Sequence, residues 1–245
     1  MGITQPEEIK ERKERILAIT IGHYIKTITP VSSAYISKSM AFDISSATIR
    51  NILAELEEDG YLTHPHTSAG RVPTEKGYRY YVDHLMYEIE LLEEEKRRIK
   101  EEYQRESSKL EKLLEKTSYV LSEITNYTSI ISIDGESRIF CQGTNFIVSY
   151  PDYQDLRKIQ SILRALDEKQ KLMEIINRDL ERKTYIYIGH EMACQEIDHC
   201  SLVVSRYETK HGSTGRLAIL GPTRMDYQRV VSTIDYFVEL MEEIF

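Results

Sequence analysis

Residues 29–79 read TPVSSAYISKSMAFDISSATIRNILAELEEDGYLTHPHTSAGRVPTEKGYR, and this stretch decides how the N-terminal part of the chain folds. Pro30 presets the backbone for a helix start, and Thr29, Ser32 and Ser33 supply hydroxyls around that N-terminus. The spacing predicts a short helix over 33–40 and a tight break at 41–44. Ser45 stands where an N-cap belongs. Behind it Ile49, Ile52, Leu53 and Leu56 form one apolar stripe at helical spacing, and Gly60 ends the helix. The opposite face carries Ser46, Thr48, Arg50 and Asn51: two short hydroxyls, a guanidinium and an amide near a helix N-terminus. Such groups suit phosphates and base edges.

Working outward, 61–64 has strand character, and 65–71 (PHTSAGR) has turn composition with a basic end. Val72, Pro73 and Thr74 then lead into a further helix with Glu75 in its first turn. A hairpin beside a reading helix makes a winged helix-turn-helix. His64, His66, Thr67, Ser68, Gly70 and Arg71 become the candidates to touch a sugar–phosphate backbone. Each feature alone is explained by an ordinary helix start or loop. In this order they predict a reader of double-stranded DNA.

The chain as a whole argues less loudly. Its 245 residues are enough for two domains, each with its own core. The formal net charge is −8, unlike a typical nucleic-acid binder, but the acid is uneven. Residues 1–86 hold ten Lys and Arg against eleven Asp and Glu, leaving the excess in the remainder. Local basic side chains must therefore carry the attraction to phosphate, with strong salt dependence. No run of 18 apolar residues and no basic-then-apolar leader is visible, so a cytoplasmic protein is expected. Cys141, Cys194 and Cys200 are expected as reduced thiols.

A first helix over 6–26 is expected, with an inner stripe of Ile9, Ile16, Ile19 and Ile25. A different pattern follows residue 84. Leu85, Ile89, Leu92, Lys96, Ile99, Tyr103, Glu106, Leu110, Leu113, Thr117, Val120 and Ile124 alternate steps of four and three. That is the register of a coiled-coil seam, and it predicts one long connecting helix over 85–125. Nine of these positions, all but Lys96, Glu106 and Thr117, are apolar and become candidate dimerisation residues. Pairing would matter, because one small module buries too little surface for tight specific binding, whereas a twofold dimer reads an inverted repeat.

After residue 126 the chain turns to β-branched runs. Strands are expected at 128–133, 138–141, 146–150, 184–188, 201–207 and 215–219, with two helices in 153–182 and a last one over 226–243. The fold class is α+β: a winged-helix domain over 1–84, a helical linker over 85–125 and an α+β sandwich over 126–245 with helices on one face. His190, Cys194, His199 and Cys200 invite a zinc reading, but their spacing fits no finger or ribbon, and no metal or other cofactor is expected. Arg224 and Asp226 are read as fixing the turn at Gly221-Pro222 and capping the last helix. Neither nucleophile elbow nor phosphate loop appears, so the chain is not read as an enzyme. Two other readings compete with a DNA-binding repressor: a metabolite sensor gated by the C-terminal domain, and an adaptor whose winged helix binds protein or RNA.

The segments PVSSAYISKSM, ISSATIRNILAELEEDGYLTHPHTSAGRVPTEKGYRYYVDHL, TSYVLSEITNYT, IGHEM, CSLVVSRY and GRLAILGPTRMDYQRVV resemble the HrcA-type heat-inducible transcription repressors. The resemblance implies a winged-helix homodimer on a palindromic operator upstream of chaperone operons, the element called CIRCE. It further implies a GAF-like C-terminal domain, and a chaperonin partner that helps the repressor reach its active form. Members of that family commonly run about 90 residues longer and carry an inserted dimerisation domain, a difference beyond ordinary loop variation. Here SIISIDGESRIFCQGTNFIVSYPDYQDL passes directly across that point, so the GAF-like domain is expected in truncated form. The seam and the shortened sheet are then expected to carry dimerisation.

Overall fold

The computed structural model describes residues 5–39, 45–65, 69–104, 110–136, 138–153, 155–178 and 183–244. It divides into two compact units, Met1–Tyr87 and Glu88–Phe245.

In the first unit α1 (Gln5–Thr27), α2 (Ser33–Ser39) and α3 (Ser46–Glu58) precede a two-stranded hairpin, β1 (Leu62–Thr63) and β2 (Val72–Pro73). Helix α4 (Glu75–Tyr80) then runs into a wider π turn at Tyr81–Leu85. The stripe Ile49, Ile52, Leu53 and Leu56 is buried as the spacing predicts. On α1 the buried face is Ile16, Leu17, Thr20 and Ile21, rotated from the expected stripe, and Ile9 is 53% exposed. Thr20 can sit in that core because its hydroxyl donates to the Ile16 carbonyl at 2.7 Å. Thr74 anchors the hairpin to α4. Its hydroxyl accepts from the Gly77 amide at 3.1 Å and lies 2.7 Å from the Gly60 carbonyl. At Gly77 a Cβ would come within 2.2 Å of the Tyr61 carbonyl oxygen, so only glycine permits that approach.

The second unit contains α5 (Glu93–Gln104), α6 (Leu110–Thr125), β3 (Thr128–Ile133), β4 (Ile139–Gln142), α7 (Leu156–Asp167) and α8 (Lys169–Ile176). Strands β5 (Thr184–Ile188), β6 (Cys200–Glu208) and β7 (Thr214–Pro222) and helix α9 (Tyr227–Ile244) complete it. The five strands form one antiparallel sheet in the order β4-β3-β7-β6-β5. Every residue of β3 is buried, which requires cover on both faces. Ile162, Ala165, Leu172, Ile175 and Ile176 of α7 and α8 pack with Ile130, Ala218 and Leu220 on one face. On the other, α6 is tied to the sheet by the paired hydroxyls of Ser118 and Ser129 at 2.6 Å. The expected sandwich with helices on one face is thus corrected to helices on both.

Two further expectations are corrected. Residues 146–150 do not form a strand. Gly143, at φ 80°, turns the chain out of β4, and Thr144–Ser149 winds into a 3-10 turn closed by the Phe146 amide on the Gly143 carbonyl at 3.0 Å. Nor is 85–125 one long helix. Residues 86–92 are non-helical, α5 and α6 follow them, and 105–109 lie outside the described residues. Of the expected seam, Ile99, Leu113 and Val120 are buried within this chain, and Leu85, Ile89, Leu110 and Ile124 are partly buried. Leu92 is 69% exposed, and the side chain of Tyr103 lies outside the described residues. The physical reason is breadth. Helix α6 also buries Leu114, Thr117, Ser118, Leu121, Ser122 and Thr125, a face wide enough to serve its own sheet rather than a partner helix.

Candidate nucleic-acid interface

Local capping positions the exposed polar face of α3. The Ser45 hydroxyl accepts from the Thr48 amide at 3.1 Å and lies 3.0 Å from the Thr48 hydroxyl, fixing the first turn of α3. Ser46, Thr48, Arg50 and Asn51 are all exposed on that turn and the next. Arg50 folds back along the helix, its Nε donating to the Ser46 carbonyl at 3.3 Å, which leaves the guanidinium on the outer face. Ser32 caps α2, accepting from the Tyr35 amide at 3.1 Å. Ser33 opens α2 and is half-buried. Thr29 turns away from that cap, its hydroxyl donating to the Thr27 carbonyl at 3.1 Å.

The base of the hairpin is stapled to α2. Val31 and Arg71 exchange both backbone hydrogen bonds at 2.9 Å. At Gly70 a Cβ would fall 2.5 Å from the Val31 carbonyl oxygen, so the close approach depends on glycine. Val31, Ser32, Ser33, Arg50, Gly70 and Arg71 thereby line one groove of about 320 Å³. Ser32, Ser33, Arg50 and Arg71, four of the residues singled out from the sequence, meet there. Ser45, Ser46, Thr48 and Asn51 stand on α3 beyond the groove's lining. His66, Thr67 and Ser68 lie outside the described residues.

One participant was missed in the sequence. Glu57 takes Arg71 Nη2 on Oε2 at 2.7 Å and His64 Nδ1 on Oε1. The signal was present: Glu57 stands seven residues after Arg50, on the same helix face two turns on. Arg71 Nε is buried without a partner in the structure.

The Cys200 thiol meets the Tyr153 hydroxyl at 3.3 Å, Cys194 meets Glu196 at 3.2 Å, and His199 Nδ1 meets Asp198 at 3.2 Å. His190 also faces Asp198, at 3.8 Å, so the two histidines share one carboxylate while the two thiols go elsewhere, and no three metal-ligating side chains converge among the described residues. Burial pushes the Cys200 thiol up to about 12, which leaves it protonated and inert. Asp226 caps α9 by accepting from the Arg229 amide at 3.2 Å, as the sequence indicates. Arg224 has a different role: it pairs with Asp152 at 2.7 Å and holds the turn before α7. A cavity lined by Thr128, Ile147, Tyr150, Tyr153, Ile162 and Cys200 has a volume of about 10 Å³, room for one water at most. No helix among the described residues is long and apolar enough to cross a membrane.

Comparison with known proteins joins these features. Residues 92–231, more than half of the chain, match the family model described as the HrcA protein C terminal domain. A heat-inducible transcription repressor HrcA of Desulforudis audaxviator is 29% identical, the alignment covering 96% of this chain and 98% of the relative. Its counterpart from Carboxydothermus hydrogenoformans is 28% identical at 96% and 98% coverage. These alignments run over 336 and 335 positions against the 245 residues here, so the relatives contain long segments that this chain lacks. A solved crystal structure of a hypothetical protein shares the fold, with a TM-score of 0.74 at 18% identity over 95% of this chain and 97% of the other. With its C-terminal unit matched across α5 to α9, the chain belongs to the HrcA family.

Proposed function

We propose that this protein is a transcriptional repressor that binds an inverted-repeat operator in double-stranded DNA as a homodimer. In this reading residues 1–84 are a winged helix-turn-helix, with α3 as the recognition helix and the β1–β2 hairpin as the wing. Residues 126–245 are a truncated GAF-like domain, with α6 packed on its sheet in the same compact unit. The observation that carries the proposal is the exposed set Ser46, Thr48, Arg50 and Asn51 on α3, beside a groove whose far wall is the hairpin base. Arg50 suits a guanine edge and Asn51 an adenine edge, while Ser32, Ser33 and Arg71 suit phosphate oxygens. The names of the relatives, heat-inducible transcription repressors, supply the direction of control: repression.

Dimerisation follows from size, since a single module of this kind buries too little for tight specific binding. A chaperonin partner is part of the same proposal and rests on the family resemblance alone. The metabolite-sensor reading gains nothing from the cavity beside Tyr153 and Cys200, which is too small for any metabolite. The test is selection of duplexes from a random pool, followed by gel-shift titration. An inverted repeat should be enriched, and Arg50→Ala should weaken its binding by about 1–3 kcal/mol. Enrichment of no symmetrical site, or an Arg50→Ala protein that binds like the parent, overturns the assignment.

A further inference from the structure

The wing hairpin is gripped by an acid. His64 follows β1 and Arg71 precedes β2. The register Leu62 to Pro73 and Thr63 to Val72 makes His64 and Arg71 the next cross-strand pair. Glu57 reaches up from the end of α3 and gives one carboxylate oxygen to each of them. Glu57 and Arg71 are half-buried, their side chains 24% exposed, and His64 closes the cluster from the exposed side at 39%.

A carboxylate on a surface that must receive a polyanion opposes binding by plain Coulomb repulsion. Left to itself, Arg71 would be a mobile cation free to meet any phosphate. Paired with Glu57, and with its backbone bridged to Val31, it has one position relative to Arg50. The carboxylate therefore lowers attraction to DNA in general while fixing where the hairpin stands beside the recognition helix.

We propose that Glu57 is a positioning residue that sets the wing against the recognition helix, raising discrimination between operator and random DNA at the expense of general affinity. This rests on the DNA-reading proposal above. Glu57 touches no base or phosphate itself. It acts through Arg71 and His64.

The test is a double-mutant cycle of Glu57→Gln, Arg71→Gln and the pair in the full chain. Affinity is measured for the inverted-repeat duplex selected by the parent protein and for a mixed-sequence duplex of equal length. Glu57→Gln keeps the shape and removes the charge. It should lose about tenfold on the selected duplex, the scale of one charge-assisted hydrogen bond. On the mixed duplex it should bind as well as the parent or better, with a steeper salt dependence as Arg71 is released to phosphate. In the Arg71→Gln background the same change should cost little further discrimination. A structural role alone predicts parallel loss on both duplexes together with a lower melting temperature, and that result overturns the proposal. So does an unchanged ratio of the two affinities, or losses that simply add in the double variant. If the parent itself prefers no duplex, the DNA-reading proposal falls and takes this one with it. If the parent discriminates and Glu57→Gln matches it, only the role of Glu57 falls.

Discussion

Asp235 on α9 shows how one side chain sets a pH response. Its carboxyl is half-buried, accepts from the Thr184 hydroxyl at 3.3 Å, and faces Lys183, Glu239 and Glu88. Burial outweighs Lys183 and Thr184 and raises its pKa above the ordinary 3.8. The folded chain thus holds this proton more tightly than the unfolded chain. The resulting stabilisation is complete below the unfolded value and is lost as pH rises through the folded one. Asp235→Asn keeps an acceptor for Thr184 and removes the buried charge. Thermal melts should place the variant above the parent at pH 7, with the gap closing below pH 3.8. A variant that melts lower at pH 7 would show that the charge, not the proton, is what α9 needs. The same scale explains what the sequence could disclose of the candidate interface. Ser45 and Thr48 were legible because capping is local, and Arg50 because it stands on the polar face of a four-residue apolar stripe. The place of Glu57 on that face was legible too, but its role was not, because its partners lie 7 and 14 residues on and meet it only once the hairpin closes.

At the scale of elements, α5 is held by little. Ile99 is its one fully buried side chain among those described, and Glu93, Glu94, Arg97, Arg98 and Lys100 are exposed. Around that anchor are an ion pair from Glu95 to Arg229 of α9 at 2.7 Å and the Tyr236 hydroxyl donating to the Lys96 carbonyl at 3.3 Å. Exposed ion pairs contribute about 0–1 kcal/mol each, whereas deleting a buried isoleucine side chain to alanine costs about 2–5 kcal/mol. Ile99→Ala should therefore release α5 while the five-stranded sheet stays folded. Trypsin should cut at Arg97, Arg98 and Lys100 about tenfold faster or more, since cleavage tracks the population of the open form. An unchanged cleavage rate would mean that polar contacts alone hold the helix. The four-three spacing marks helix in α5 and α6 but fails over 86–92, and it does not name what covers the helices. A stripe records only that something apolar lies opposite. The clue that α6 serves its own sheet was Leu114 and Leu121, each beside a seam position and each widening the face. Likewise the β-branched content of 146–150 gave a strand, because propensity cannot see the left-handed Gly143 that turns the chain out of the sheet.

For the whole molecule, the distribution of charge and the need for two copies make one joint prediction. The chain carries −8 in total, and residues 1–86 are close to neutral, so no long-range field draws DNA in. Binding must come from a few local cations that displace condensed counterions from the DNA, and each phosphate contact contributes about −0.9 to the slope of log affinity against log salt. If one copy occupied the operator, deleting half of the inverted repeat would leave that slope unchanged. If two copies occupy it, each brings its own Arg50 and Arg71 and its own α2 cap. The complete repeat should then show about twice the slope of a single half-site. Anisotropy titrations of both duplexes over a salt series measure this directly, and sedimentation of the complexes counts the copies bound. Equal slopes with one copy on each duplex would exclude a dimeric reader. Equal slopes with two copies would instead mean that the second copy is held by protein contacts rather than by phosphate. A doubled slope with two copies would place the discrimination between sites in the pair, where a modest reader becomes specific because two half-sites must be right together.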